Sequence, residues 1–414
     1  MTMDYYTYKL PCEAFTITSS NGVPAHFTCT GTSDGIEVRI AHGYAGAFGL
    51  GERYDALNYL GKTAVNAVEE KFCRQGDKTY CPMPFFWTDS GLGVYAETAR
   101  VTRFEFGRGS ITLHLPEGCA LHVFSGSPEE MVSAYIRLTG EPVLPPDWVF
   151  GPWISANHWD SREKLERAVA QAEEHGFPVS VAVVEAWSDE ATFYRFRSDT
   201  LWPEPEEMIE RLHEKGIRLI LWQIPVYKQL EPGKFTEIKS IAGAEAARNV
   251  IRHCMDNYNA KPNAQLERDW DEAVRRGLCV KNADGTPYRI PEGHWFAGSL
   301  VPDFTNPETV ESWFSRREYL TGLGVDGFKT DGGEFILSDG ARFFDGTDGA
   351  EGRNLYPQMY TGAYTEHLKP GQALFSRAGY VGAHTTPILW AGDQVSTFDE
   401  LRSQPGTFFQ CVGN

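Results

Sequence analysis

Gly324-Val325-Asp326-Gly327-Phe328-Lys329-Thr330-Asp331-Gly332-Gly333-Glu334 is the stretch whose reading decides the fold. It reads as a short buried strand that stops abruptly. Asp331 stands at the C-terminal tip, and two glycines after it let the backbone turn. In a parallel barrel that tip is where catalytic groups are placed. A strand-to-loop junction whose Asp caps a helix has the same look, so the segments on either side must decide.

Working outward, apolar runs alternate with helical patterns. Upstream, strands are expected at 148–155, 178–185 and 218–224, with helices at 161–175, 205–215 and 307–322 between them. Gly176 and Gly216 stop two of the helices. An insertion at about 225–299 is part helical and rich in charge. Downstream, a helix falls within 354–368, followed by strands at 373–377 and 387–393. Near-continuous apolar strands alternating with helices mean a parallel sheet covered on both faces. No G-x-G-x-x-G or P-loop follows any strand, which leaves nucleotide binding without support. Polar or aromatic residues end the strands instead: Glu185, Trp187, Gln223, Asp331, Arg377 and Asp393. Function spread over several strand ends favours a (β/α)8 barrel over a doubly wound sheet.

Residues 1–126 have a different pattern. Short alternating runs such as Ile36-Glu37-Val38-Arg39-Ile40 and Ile111-Thr112-Leu113-His114-Leu115 are separated by turn clusters, which suggests an N-terminal β-sandwich. Two stretches there, Phe48-Gly49-Leu50-Gly51-Glu52-Arg53-Tyr54-Asp55 and Cys81-Pro82-Met83-Pro84-Phe85-Phe86-Trp87, fit loop and core packing. The other reading is a loop reaching over a neighbouring domain's pocket. Residues 127–146 form a helical linker: Pro128 opens the helix, Gly140 stops it, and Pro142, Pro145 and Pro146 make a stiff connector to the next domain. Residues 147–414 hold the barrel.

Composition narrows the partners. The chain has 414 residues, 38 basic and 56 acidic, for a net charge of −18. Such a surface repels phosphate backbones and anionic membranes, so neither nucleic acid nor membrane is expected as a partner. No apolar run reaches the length of a membrane span. The eight cysteines form no C-x-x-C pair, which argues against a zinc site and suits scattered buried thiols in a cytoplasmic protein. The expected partner is a small-molecule carbohydrate, with a homo-oligomer possible.

Two strand tips carry carboxylates, Asp331 and Asp393, with Arg377 between them. Such a pair suits retaining glycosidase chemistry, in which one carboxylate attacks the anomeric carbon and the other, held protonated, serves the leaving oxygen. Two carboxylates and water suffice, so no cofactor or metal is implied.

At these residues the chain resembles glycoside hydrolase family 31, the α-glucosidase and α-xylosidase family. The run from Gly324 to Glu334 is similar to that family's nucleophile motif, Trp390-Ala391-Gly392-Asp393 to its acid/base motif, and Ser376-Arg377 to the Ser-Arg segment before it. Pro302-Asp303-Phe304-Thr305-Asn306-Pro307 resembles the segment before the nucleophile strand, and the runs at 48–54 and 84–86 resemble parts of its N-terminal β-domain. The resemblance implies a β-sandwich before a (β/α)8 barrel, and a retaining, exo-acting α-glucosidase-like enzyme. Asp331 would be the nucleophile and Asp393 the acid/base, with Arg377 and Trp390 lining the pocket. A transglycosylase using the same two carboxylates is the alternative, as is a non-catalytic carbohydrate-binding fragment.

The chain departs from the family pattern in three places. Lys329 stands where family α-glucosidases often have an aromatic residue, which brings a donor or charge near the pocket. Where many members carry Asp-x-Asp, this chain has Glu185-Ala186-Trp187-Ser188-Asp189, so the carboxylate gripping outer hydroxyls is Glu185 or Asp189. Trp222 and Trp295 are placed to add stacking or to fill the core. Finally, the chain ends at Asn414, soon after the sixth strand. The barrel is therefore expected to be incomplete, the chain a piece of a larger protein, and this piece alone weak or inactive.

Overall fold

A computed structural model describes residues 6–9, 15–18, 25–70, 73, 75–156, 159–188, 192–196, 201–229, 264–386 and 388–404, with the first two segments described by backbone alone. Its N-terminal part is two antiparallel sheets. One runs Phe15–Thr18, His26–Thr32, Gly35–Ala41, Ser110–Leu115, Thr102–Gly107, Thr63–Asn66, and the other Tyr6–Lys9, Ala120–Ser125, Leu92–Glu97, Pro82–Thr88, Ala47–Gly51. The period-two pattern decides which side chains turn inward. Phe27, Val38, Ile40, Phe104, Ile111 and Leu113 of the first sheet share one core with Phe86, Leu92, Val94 and Leu121 of the second. Each such side chain contributes about 1.5–3 kcal/mol when fully buried.

The Cys81-to-Trp87 run is largely strand, not loop. Pro82 is tolerated as the strand's first residue, and Pro84 falls where the ladder against Ala47–Gly51 shifts register between Gly49 and Gly51.

The outer face of the second sheet carries Met83, Phe85, Tyr95 and Phe124. They pack on Met131, Ala134 and Tyr135 of the helix Pro128–Thr139 and on Ala383 beyond it. Phe85 stacks on Tyr135 at 4.3 Å. Ser127 and Glu130 close this helix's first turn as a capping box, and Gly140 ends it. The helix thus joins the sandwich to the parallel sheet.

Among the described residues that sheet has six parallel strands, in spatial order Trp153–Ser155, Val181–Val184, Arg218–Gln223, Gly327–Thr330, Ala373–Ser376 and Ile388–Leu389. Strand order matches chain order, as successive β-α units lay it down. The Asp326 carboxylate pins the fourth strand to the third: it accepts from the Leu219 backbone at 2.8 Å and pairs with Arg218 at 3.1 Å and His213 at 2.7 Å.

Four expected elements differ. The strand expected at 387–393 is only Ile388–Leu389, so Asp393 lies on the loop beyond it and not at the strand's tip. The first strand is only Trp153–Ser155, preceded by a 3-10 helix at Asp147–Phe150. Gly151-Pro152 separates the two, and Pro152 has no N–H to give a ladder. The expected helix at 307–322 is two, Pro307–Ser315 and Glu318–Gly322. Consecutive arginines break it. Arg316 pairs with Asp269 at 2.6 Å and Glu272 at 2.7 Å on the helix Ala264–Arg276, whereas Arg317 enters the core, 2% exposed. The helix expected within 354–368 starts earlier, at Gly349, where Asp348 caps it. Among the described residues no helix is long and apolar enough to cross a membrane.

Candidate active site

The fourth strand delivers Asp331 to the end of the sheet, and Gly332, at φ +73°, turns the chain away. Three donors converge on the Asp331 carboxylate. The Gly332 amide donates to Oδ1 at 2.8 Å, the Trp222 indole Nε1 to Oδ2 at 2.7 Å, and Arg377 Nη1 lies 3.2 Å from Oδ1. The Asp331 backbone N–H donates to the Gln223 carbonyl at 3.0 Å. These contacts suit a carboxylate that acts in its charged form.

Arg377 comes directly after the fifth strand and is 1% exposed. Its Nε and Nη2 donate to the two oxygens of Glu334 at 2.9 and 2.8 Å, a fork that fixes the guanidinium plane. Nη1 also reaches Glu70 at 3.3 Å. Tyr80 and Trp295 face the same guanidinium, with ring centroids 4.8 and 5.2 Å from Cζ. Burial works to lower the Arg377 pKa, but Asp331, Glu334 and Glu70 outweigh it and push it well up. Glu70 is pushed up to about 7, by burial first and by Glu334 and Asp331 after it, against the pull of Arg377.

A second pair sits beside this one. Lys329 Nζ is 2.7 Å from Glu185 Oε1 and 4.6 Å from the Trp390 ring centroid. Burial acts against the ammonium, yet Glu185, Asp331 and Asp393 raise Lys329 to about 12.

Asp393 lies on the loop after the sixth strand, and its residue surface is exposed. Its carboxyl is raised to about 6, by the surrounding protein first and the Asp331 charge second, while Lys329 and Arg377 pull it down. Water reaches this group, and the nearby Asp331 charge is what opposes its ionisation there.

The sandwich meets this loop. The Tyr54 hydroxyl donates to the Ala391 carbonyl at 3.1 Å, and Gly392 lies so close to Tyr80 that a Cβ there would stand 2.2 Å from its ring. Of residues 48–55, Phe48 to Gly51 belong to the strand Ala47–Gly51, and the buried Tyr54 reaches the loop that carries Asp393.

The structure brings the residues named from sequence into two groups. Trp222 and Arg377 each reach Asp331, and Glu185, Lys329 and Trp390 form the second cluster. Lys329 and Arg377 both act on Asp393. Asp189, the alternative to Glu185, lies outside the described residues. Sequence reasoning missed Glu70, Glu334 and Tyr80, and left Trp295 undecided between stacking and core. Glu334 carried a signal, three residues past Asp331 across two glycines. Glu70 carried none, because it comes from the other part of the chain. Among the described residues no three His, Cys, Asp or Glu side chains stand as metal ligands; the carboxylates here surround a guanidinium.

A family profile described as the glycosyl hydrolases family 31 TIM-barrel domain matches residues 142–411. The chain is 32% identical over 400 residues to an isomaltosyltransferase of Sporosarcina globispora, covering 88% of this chain and 33% of that protein. It is 33% identical over 390 residues to a 1,3-alpha-isomaltosidase of Kribbella flavida, covering 86% of this chain and 50% of that protein. A solved cycloalternan-degrading enzyme from Trueperella pyogenes, in complex with isomaltose, superposes with a TM-score of 0.81 at 30% identity, over 99% of this chain and 60% of that one. The chain thus spans between a third and three-fifths of these relatives' length.

Proposed function

We propose that this chain, which belongs to glycosyl hydrolase family 31, carries the catalytic site of a retaining, exo-acting α-glucosidase-like hydrolase. In the first step an oxygen of Asp331 attacks the anomeric carbon and the glycosidic C–O bond breaks. Asp393 gives its proton to the leaving oxygen, which departs as an alcohol. In the second step Asp393 takes a proton from water, the hydroxide oxygen bonds to the anomeric carbon, and the ester to Asp331 breaks. Two displacements return the α configuration. Arg377, Glu334, Lys329 and Glu185 supply fixed donors and acceptors for sugar hydroxyls, and Trp390 and Trp295 supply apolar faces.

The observation that carries this reading is the asymmetry of the two carboxylates. Asp331 is buried among three donors, while Asp393 is raised to about 6 beside it, as a nucleophile and a general acid require. The substrates we propose are small α-glucosides and oligosaccharides. Likeness to an isomaltosyltransferase supports a second reading, transfer to a sugar acceptor through the same intermediate.

The test is a panel of aryl α-glycosides and isomaltose on the full-length protein, with the first-formed product anomer read by proton NMR. Loss of turnover in Asp331→Ala together with an α product supports the reading. A β product, or an Asp331→Ala variant with normal turnover, would sink it.

A further inference from the structure

We propose that Arg317 is a positioning residue that holds Trp222 and Asp331 in register through Gln223; this rests on the reading of Asp331 as nucleophile. Arg317 occupies the break between Pro307–Ser315 and Glu318–Gly322, just before the strand that carries Asp331. Its Nε donates to Gln223 Oε1 and to the Tyr364 hydroxyl, both at 2.8 Å, and Nη1 to the Trp313 carbonyl at 2.8 Å. Its Cζ lies 3.8 Å from the Trp313 ring centroid. These partners are neutral. A buried guanidinium held by neutral acceptors is a costly way to fill space, and Nη2 is buried with no hydrogen-bond partner among the described residues. Packing alone gives no account of a cation here.

What the cation does is fix the Gln223 side chain. Tyr364 donates to the same Oε1 at 2.8 Å, so that oxygen receives two donors and the amide has one orientation. Its NH2 must then face the other way, where it donates to the Phe193 carbonyl at 2.9 Å and the Trp222 carbonyl at 3.0 Å. Trp222 is the residue whose indole holds Asp331 Oδ2, and the Gln223 carbonyl accepts from the Asp331 backbone N–H. One side chain therefore grips the backbone of the indole donor while its own backbone grips the nucleophile. Arg317 sits behind both. A cationic donor at the amide oxygen polarises a buried amide and strengthens the amide's own N–H donors.

The expected consequence is a split between kcat and KM, because a displaced nucleophile slows attack without removing contacts to the sugar. A small misplacement of reacting groups costs up to about 100-fold. In the full-length protein, Arg317→Met is expected to lower kcat about 10- to 100-fold per folded molecule, with KM within about 2-fold. Arg317→Lys, which still donates to Gln223 Oε1, is expected to recover most of that loss. Gln223→Glu keeps an acceptor for Arg317 but loses both N–H donors, and should show the same kcat fall. It also carries the test if Arg317→Met does not fold. Folded fraction is set by near-ultraviolet circular dichroism. If Arg317→Met, or Gln223→Glu in its place, lowers thermal stability but keeps wild-type kcat per folded molecule, Arg317 is only structural and the proposal fails. Asp331→Ala is run beside them: activity there means that the nucleophile reading has failed, whereas an inactive Asp331→Ala with a normal Arg317→Met overturns the positioning role alone.

Discussion

Replacing Lys329 by Met probes how its surroundings set the charge of Asp393, the proposed proton donor. The ammonium lies 2.7 Å from Glu185 and over the Trp390 ring, and it pulls the Asp393 carboxyl down, which even so stands raised to about 6. If Asp393 must be protonated to serve the leaving oxygen, kcat/KM falls as pH rises through that value. Removing a nearby cation takes away a stabiliser of the charged carboxylate, so the basic limb moves to higher pH. A nearby opposite charge moves a carboxyl by about 1–3 pH units, and at a site that water enters the low end applies. Glu185, left without its partner, pushes in the same direction, because it too raises Asp393. The expected shift is about one pH unit upward. Lys329→Met/Glu185→Gln, which removes both charges, should bring the limb back toward wild type.

The assay is kcat/KM from pH 4 to 9 on an α-glycoside with a basic leaving group. An aryl glycoside whose phenolate leaves without help serves as control and should show a flattened basic limb. The stability of Lys329→Met should also fall by a few kcal/mol at neutral pH, since removing one partner of a buried pair leaves the other uncompensated. Because the folded Lys329 is raised to about 12, its contribution is complete below the unfolded value of about 10.4 and is lost as pH rises from there through 12. The stability gap between wild type and variant should therefore hold through pH 9 and close only above it. A basic limb that stays put or moves to lower pH in Lys329→Met would refute the argument that Lys329 acts on Asp393.

Two further substitutions test the geometry around the carboxylates. Trp222→Phe keeps most of the buried ring but removes the 2.7 Å donor to Asp331; a hydrogen bond to a charged group is worth about 1.5–3 kcal/mol, so kcat should fall about 10- to 100-fold. Retained near-ultraviolet circular dichroism with normal turnover would count against a role for the indole N–H. Gly392→Ala puts a Cβ 2.2 Å from the Tyr80 ring at a residue with φ +72°, and should push the Asp393 loop off the sandwich. It should slow glycosides with basic leaving groups more than activated ones, and Tyr80→Leu in the same chain should restore part of the loss; equal losses on both substrates would mean that the loop's position does not control proton delivery.

The strand tips were legible because a buried parallel strand has a simple signature: a short, mostly apolar run that ends on a charged residue. Val181–Val184 ends at Glu185, Ala373–Ser376 at Arg377 and Gly327–Thr330 at Asp331, so the sequence pattern alone placed these side chains on one rim. Boundaries set by a single contact were not legible. The break at residues 316 and 317 depends on one arginine finding acids on a helix about 45 residues earlier and the next finding Gln223 across the sheet, and nothing within the helical pattern signals either.

Trp222 shows a different failure. Weighing core against pocket treats the two as exclusive, yet its ring is fully buried while its N–H reaches the Asp331 carboxylate. A large amphipathic side chain can satisfy both demands at once. The same holds for Glu70 and Tyr80, which belong to the sandwich by chain position and to the barrel pocket by contact. The guanidinium beside Asp331 is held by carboxylates from two separately patterned parts of the chain, so the sandwich is part of the proposed active site and not only its support.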